Sequence, residues 1–211
     1  MSQSSRIAGP VFTIGHSNLE LADFLCVLAQ HRVQMVCDVR SRPGSYRFPQ
    51  FNREPLEADL ASANIQYEFL GKSLGGRPAD SRVYHEDGHV DYAARRRAPD
   101  FAEGIARAVE LSRDGAVALM CAEEDPLQCH RFLMICPVLV ERGVIPVHIR
   151  RGGVLETQRQ AEDRLLALND LSAFTSDSLF VLERGSAIEE ALRRQSQEYA
   201  FRGLPGQTED F

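Results

Sequence analysis

The densest group of reactive side chains is the segment Cys-Ala-Glu-Glu-Asp-Pro-Leu-Gln-Cys-His-Arg, which ends at residue 131. It places two thiols, Cys121 and Cys129, close to the imidazole of His130 and the guanidinium of Arg131. We expect Cys129 to lie in the first turns of a helix, where unpaired backbone N–H groups lower the pKa of a thiol and favour the nucleophilic thiolate. Successive helical residues point about 100° apart, so Cys129, His130 and Arg131 are not expected to face one ligand together.

Three acidic residues, Glu123, Glu124 and Asp125, lie between the two cysteines. A carboxylate beside a thiol raises the pKa of that thiol unless a nearby arginine compensates. The spacing of Cys121 and Cys129 leaves three interpretations open, because they can form a redox pair, bind a shared metal ion, or simply pack against each other.

A second polar group, Asp-Val-Arg-Ser-Arg-Pro-Gly-Ser, begins at Asp38 and ends at Ser45. The guanidinium of Arg40 is suited to bidentate binding of a phosphate or carboxylate. The same pattern also fits a structural ion pair between Asp38 and Arg40 that anchors the loop.

Two shorter motifs complete the candidates. His16 and Ser17 follow an apolar strand, and His16 can serve as a general acid or base or as a hydrogen-bonded structural residue. Gly75 and Gly76 precede Arg77, and a glycine pair allows backbone N–H groups to approach an anion closely.

Apolar strands alternate with amphipathic helices along most of the chain. Strands are predicted at 11–16, 34–39, 65–70, 116–121 and 144–149, and helices at 19–32, 54–64, 92–113 and 125–140. Pro99 must break the third helix or mark its start near Asp100. This alternation predicts an α/β fold with a mostly parallel five-stranded sheet and helices on both faces, a three-layer arrangement of the Rossmann or flavodoxin type.

Ligands of such sheets bind beyond the carboxyl ends of the strands, where the polar motifs are predicted to meet. The predicted catalytic residues are Cys121, Cys129, His16, His130 and Glu123. The predicted substrate-binding residues are Ser17, Asp38, Arg40, Ser45, Gly75, Gly76, Arg77 and Arg131.

We divide the chain into a loose start at residues 1–10, an α/β domain at 11–158 and a helical C-terminal extension at 159–211. Helices are expected near 156–168 and 186–199. The thin apolar stripe of the second helix is typical of packing on the domain or of a subunit contact, so a homo-oligomer is compatible with the sequence.

Composition narrows the class of protein. The chain has 211 residues, enough for one sizeable core, and its 44% hydrophobic and 26% charged residues are typical of globular proteins. A net charge of −6 argues weakly against extensive wrapping by nucleic acid. The apolar runs are shorter than the roughly 20 residues that span a bilayer, and no export signal is evident. We therefore expect a cytoplasmic protein with reduced thiols, and with Cys26, Cys37 and Cys136 as core residues.

The motifs together resemble the domain of unknown function 488 family. The resemblance lies in Thr13 to Ser17, Asp38 to Ser45, Phe51-Asn52, Tyr67, Leu74-Gly75-Gly76, the segment from Cys121 to Arg131, and Val147 to Ile149. It covers about residues 11 to 158 and implies a fold and a site rather than a reaction. Members of the family often have a histidine shortly after the last strand, where this chain has Gln158, so a mechanism that needs a histidine there is weakened.

The leading functional hypothesis is an enzyme that acts on a small or nucleotide-like anionic substrate. One of the two cysteines of the 121–131 segment supplies a thiolate, His16 or His130 transfers a proton, and Arg40 and Arg131 hold the anion.

Two alternatives remain open, and the sequence identifies no cofactor. A binding module without catalysis would hold a nucleotide or nucleic acid by charge and stacking. Its residues would be Arg40, Arg42, Arg47, Arg77, Tyr46 and Phe48. A zinc or iron site would use Cys121, Cys129 and either His130 or His16, although an eight-residue spacing between cysteines departs from common zinc knuckles.

Overall fold

A six-stranded sheet forms the centre of the protein, seen in a computed structural model that describes residues 9–174 and 181–203. The strands are β1 (Val11–Gly15), β2 (Met35–Asp38), β3 (Gln66–Phe69), β4 (Val117–Cys121), β5 (Val147–Ile149) and β6 (Leu155–Thr157). Their spatial order is β3-β2-β4-β1-β5-β6. The first five run parallel, which confirms the predicted α/β fold.

The sixth strand was not predicted. β6 pairs antiparallel with β5, so that Ile149 lies opposite Leu155. The connection between the two strands is too short for the crossover that a parallel pair requires. The helix expected to begin near Glu156 starts after β6 instead, where the Thr157 hydroxyl accepts a hydrogen bond from the backbone N–H of Gln160 and caps it.

Helices cover both faces of the sheet. They are α1 (Leu21–Gln30), α2 (Arg53–Ser62), α3 (Gly71–Leu74), α4 (Tyr92–Arg96), α5 (Pro99–Leu111), α6 (Cys136–Glu141), α7 (Gln158–Leu168) and α8 (Val181–Tyr199). Short 3₁₀ turns lie at Pro49–Phe51, Ser81–Val83, Pro126–Gln128, Arg151–Gly153 and Ser172–Phe174, and a π-helical segment at Arg131–Ile135. Pro99 ends one helix and starts the next, because proline lacks the N–H that a helix interior needs.

Two apolar clusters hold the layers together. On one face, Phe24 and Leu28 of α1 and Leu56 of α2 are fully buried against the sheet. On the other, Ile105 of α5 and Leu139 of α6 are equally buried. Each such side chain contributes about 1.5–3 kcal/mol through burial. This places the sheet as the middle of three layers.

The C-terminal extension packs on the second cluster. Ala191 and Leu192 of α8 are buried in it, and the Gln195 side chain donates a hydrogen bond to the carbonyl of Leu127. The predicted subunit contact of this extension stays a prediction. The predicted loose start at 1–10 lies largely outside the described residues, as does the part of the extension beyond residue 203. Among the described residues, no helix has the length and hydrophobicity needed to cross a membrane.

The connections that follow the two central strands lie on opposite faces of the sheet. β1 leads into α1 on one face, whereas the neighbouring β4 leads through the π-helical segment into α6 on the opposite face. Adjacent strands whose connections leave on opposite faces create a crevice at their carboxyl ends, the usual ligand position in α/β sheets. Gly15 and Cys121 are paired residues at this position.

Gly15 is required by close packing. A Cβ atom at this residue would lie 1.7 Å from the carbonyl oxygen of Glu123. We expect Gly15→Ala to lower the free energy of unfolding by about 3 kcal/mol or more, because backbone would have to move. Urea denaturation would measure the loss. Gly185→Ala is the matched control, since none of the described residues lies within 4 Å of its added Cβ and alanine favours its helix. Equal stability of the two variants would contradict the close packing of Gly15 against the carbonyl of Glu123.

Candidate functional site

The loop after β4 crosses over the end of β1. The backbone N–H of His16 donates to the carbonyl of Cys121 at 2.9 Å, and that of Ser17 donates to the carbonyl of Ala122 at 2.8 Å. Ser17 has a φ of 47° and reverses the chain at this point. These bonds set Glu123 above the strand ends.

Four predicted site residues converge under this loop: Cys121, Glu123, Cys129 and His130. One ligand atom from each lies within 4.8 Å of all the others. The Cys121 thiol donates to the Glu123 carboxylate at 3.0 Å, and His130 Nδ1 lies 3.7 Å from both sulfur atoms. The two thiols and the imidazole are buried, whereas Glu123 is exposed as a residue. Its carboxylate points inward to Cys121, and burial of that group raises the pKa of Glu123. We call these four residues the thiol cluster.

The imidazole of His130 is held in one orientation. Its Nε2 lies 2.9 Å from the carbonyl of Val39, which can only accept, so Nε2 carries a proton. Nδ1 therefore faces the two sulfur atoms. Gly76 packs on the other side of the ring, where a Cβ would come within 2.9 Å of His130 Cγ. The predicted glycine pair thus makes room for the imidazole.

The backbone at Cys129 explains why neighbouring side chains share one site. Cys129 is extended, with φ −137° and ψ 141°, and does not lie inside a helix as expected. It precedes the first helical turn, and the backbone N–H of Arg131 donates to its sulfur at 3.5 Å. The expected rotation of about 100° per residue therefore does not apply between Cys129 and His130. The favourable helix N-terminus remains.

A family model described as "Domain of unknown function DUF488" matches residues 20–135, more than half of the chain. The chain belongs to the DUF488 family. No curated protein and no solved structure gives a match. The match confirms the predicted family, while the finer motif correspondences of this DUF488 member stay predictions.

The pKa values of the two thiols are shifted in opposite directions. Burial and the neighbouring Cys129 raise the pKa of Cys121 well above its usual value. Burial also opposes charge on Cys129, but its interactions with the Cys121 side chain and with the charge of Arg131 outweigh burial and hold the pKa of Cys129 well below its usual value. Burial likewise lowers the pKa of His130, but the neighbouring Cys129 outweighs it and raises that pKa. Cys129 is thus the more acidic thiol of the pair.

The Arg131 side chain stabilises the loop that covers the thiol cluster. Its guanidinium is buried and donates to the carbonyls of Glu123 at 2.6 Å and Glu124 at 2.7 Å. The side chain therefore holds the crossing loop and places a positive charge beside Cys129. The predicted role of Arg131 in holding a substrate stays a prediction.

The other two acidic residues of the segment are turned away from the thiols. Glu124 pairs with Arg150 at 3.0 Å, which lowers the pKa of Glu124. Asp125 pairs with Arg164 at 2.7 Å and caps the following turn through the N–H of Leu127. Sequence reasoning missed these arginines, because nothing in the spacing brings residues 150 and 164 to the loop.

A second buried network surrounds Arg40. Its guanidinium donates to both carboxylate oxygens of Asp38, at 2.9 and 2.6 Å, and to the carbonyl of Phe51 at 2.8 Å. Tyr67 donates to Asp38 at 2.9 Å. The remaining contact is with Nε2 of His16 at 3.2 Å, so four of the five N–H groups of Arg40 have partners in the fold. The arrangement is that of a structural ion pair. Tyr67 belongs to the motifs that resemble the family, but the sequence did not predict it as a site residue.

His16 is neutral in this network. Arginine can only donate, so His16 Nε2 accepts, and its Nδ1 donates to the carbonyl of Ser17 at 3.0 Å. Burial and the charge of Arg40 lower the pKa of His16 to about 4. The ring also stacks on Phe51 with centroids 4.3 Å apart. Both ring nitrogens are occupied, which leaves His16 poorly placed to move a proton.

The structure gives the remaining predicted residues other partners. The Ser45 N–H donates to the side chain of Asn52 at 2.6 Å, and the Ser45 hydroxyl accepts from the N–H of Phe48. The Arg77 guanidinium stacks on Phe201 at 4.5 Å. A Cβ at Gly75 would lie 2.4 Å from Ser41 Oγ, so this glycine serves packing.

The buried ion pair provides a first test of the site. Asp38→Asn removes the charge that compensates Arg40 and should lower the free energy of unfolding by about 3 kcal/mol. Tyr67→Phe removes one hydrogen bond to the same carboxylate and should cost about 1 kcal/mol. Chemical denaturation at neutral pH would measure the free energy of unfolding of both variants and of the parent. A smaller loss for Asp38→Asn than for Tyr67→Phe would show that Arg40 does not depend on Asp38.

The low pKa of His16 provides a test by pH. In the unfolded chain a histidine has a pKa of about 6.5, so between pH 6.5 and 4 the unfolded state binds the proton and the folded state does not. The free energy of unfolding should therefore fall as pH decreases through this window, by at most about 3 kcal/mol from this residue. His16→Gln should reduce the slope of the profile and leave the part that comes from buried His148, whose pKa is also lowered to about 4. The exposed control His85→Gln should leave the profile unchanged. Parallel profiles for all three proteins would rule out this assignment.

Proposed function

We propose that this protein is an enzyme that acts on a small or nucleotide-like anionic substrate at a zinc ion held by the thiol cluster. The observation that carries the proposal is the convergence of two sulfur atoms, one imidazole nitrogen and one carboxylate within 4.8 Å of one another. Thiolate and imidazole are the ligands that zinc prefers in proteins.

The spacing of the ligand atoms supports a tetrahedral ion. With ordinary zinc–sulfur and zinc–nitrogen bonds, ligand atoms of a tetrahedral site lie about 3.5–3.8 Å apart. His130 Nδ1 lies 3.7 Å from each sulfur atom. The Glu123 carboxylate, at 3.0 Å from Cys121, would need to move outward by less than an ångström.

The surroundings of His130 also support a metal ligand. A metal-binding imidazole usually donates its other N–H to a carbonyl or carboxylate, which fixes the ring. His130 does this through the carbonyl of Val39. Nδ1 is therefore oriented toward the two sulfur atoms before any ion binds.

Charge balance favours a dication. Metal binding deprotonates its cysteine ligands, so with both thiols and Glu123 ionised the metal-bound cluster would carry three negative charges beside the buried cation of Arg131. A doubly charged ion would bring the sum to zero. An excess of buried negative charge is costly in a protein interior.

The exposure of Glu123 favours catalysis over a purely structural ion. Catalytic zinc sites usually have three protein ligands and one exchangeable position, whereas structural sites are closed by four buried ligands. Here Cys121, Cys129 and His130 are buried, whereas Glu123 is exposed as a residue. An anionic substrate can replace Glu123 at the ion, with Arg131 and the helix N-terminus at Cys129 adding positive potential. Zinc would supply a Lewis acid at that position.

One observation favours a binding module as the second candidate. Tyr46 is 94% exposed, and the neighbouring Arg47 guanidinium stacks on Phe48 at 5.4 Å. An exposed aromatic residue among arginines is typical of surfaces that stack nucleobases.

Metal analysis tests the proposal. Protein purified without chelators should contain about one zinc ion per chain, because all four ligands are preformed. Cys129→Ser and His130→Ala should each abolish stoichiometric zinc while circular dichroism confirms the fold. Cys26→Ser is the matched control, since Cys26 is an exposed thiol outside the cluster. Glu123→Gln should retain the ion, because the three buried ligands remain. Turnover in a screen of small phosphate and carboxylate esters should be lost together with the ion in Cys129→Ser.

Three results would contradict the proposal. Absence of bound metal, together with failure to bind added zinc or cobalt, would exclude the metal centre. Rapid alkylation of Cys129 in that metal-free protein would favour a thiol enzyme instead. Salt-sensitive binding of single-stranded nucleic acid that survives Cys129→Ser and is lost in Tyr46→Ala would favour the binding module.

A further inference from the structure

β3 forms one edge of the sheet, far along the strand order from β1. On its outer side lies an open groove of about 780 Å³ between α2 and α5. Its apolar lining includes Met35, Ala61, Ile65 and Leu111. This groove is separate from the thiol cluster and does not depend on the proposed function.

The edge strand presents its backbone to this groove. The N–H groups of Gln66 and Leu70 donate to the carbonyls of Gln34 and Asp38 on the β2 side, each at 2.9 Å. Successive peptide groups of a strand alternate in direction, so those of Tyr67 and Phe69 point away from β2. An outward row of peptide groups is a template for a further strand.

The charges around the groove select the class of partner. Four carboxylates line it, from Glu57, Glu68, Glu110 and Asp114, against one guanidinium. That guanidinium, of Arg107, pairs with Glu68 at 2.8 Å and with Glu110 at 2.9 Å. Arg53, just outside the lining, lies 4.0 Å from Glu57, so the carboxylates of the groove outnumber the guanidinium groups at it by two. A second copy of the same edge would bring like charges together, whereas a basic segment would be attracted.

We infer that the β3 groove binds an extended basic segment of a partner protein, which pairs with the outer edge of β3 as an additional strand. Alternate side chains of such a segment would point to opposite faces. Apolar side chains would contact Ile65 and Leu111, and arginine or lysine side chains would reach the carboxylates at the rim. Main-chain hydrogen bonds would supply affinity, and the charges would supply specificity.

A synthetic probe tests this inference with the full chain. The probe is a short labelled peptide of alternating arginine and valine, and fluorescence anisotropy measures its binding. Two comparison peptides carry glutamate in place of arginine, or proline at alternate positions, which prevents strand pairing. We expect the basic peptide alone to bind, with slower hydrogen exchange at the amides of Tyr67 and Phe69.

Charge variants of the groove complete the test. Combined Glu57→Gln and Glu110→Gln substitutions should weaken binding of the basic peptide about tenfold, because two exposed ion pairs are lost. Both residues are exposed, so the fold should persist. Glu141→Gln, at an exposed acid near the end of α6, is the matched control and should bind as the parent does.

The inference would be overturned by equal binding of the proline-containing peptide, or by unchanged affinity in the double variant. Absence of binding would overturn it as well. Self-association of the chain that the peptide competes away would show that the occupant is a second copy instead.

Discussion

The site depends on the close crossing of the loop after β4 over the end of β1. The carbonyl of Glu123 occupies the space where any other residue at position 15 would place a Cβ. Arg131 donates to the carbonyls of Glu123 and Glu124 from the opposite side, so the loop is held between a glycine and a guanidinium. Because the loop is held close to the strand ends, the Glu123 side chain lies against the Cys121 thiol.

Buried charge is distributed so that most ionised groups are paired away from the thiols. Asp38 and Arg40 neutralise each other inside the fold, and Arg150 and Arg164 pair with the acidic residues at the outer end of the loop. Removing one member of a buried pair is costly, so these residues support the geometry rather than the chemistry. The buried guanidinium of Arg131 is thus the positive charge that lies beside the thiol cluster.

The metal proposal and the groove proposal concern different parts of one sheet. The thiol cluster lies at the carboxyl ends of β1 and β4, where two connections leave on opposite faces. The groove lies along the side of β3, where the sheet ends without a neighbour among the described residues. Membership of the DUF488 family is consistent with both and decides neither.

The sequence alone determined the class of fold and the main candidates. Short apolar strands alternating with amphipathic helices require a covered parallel sheet, and the carboxyl ends of its strands carry His16, Asp38 and Cys121. β6 was missed because a three-residue strand has too little pattern to predict. The tertiary structure decided which candidates meet. Cys129 could be placed beside Cys121 only once its extended backbone was known, and local sequence does not specify that conformation. The structure was needed to show that the N–H groups of Arg40 already have partners and that Arg131 stabilises the loop after β4. In both cases the partners are distant in sequence or depend on residues that are. Contacts of this kind arise from long-range packing, which residue spacing along the chain does not encode.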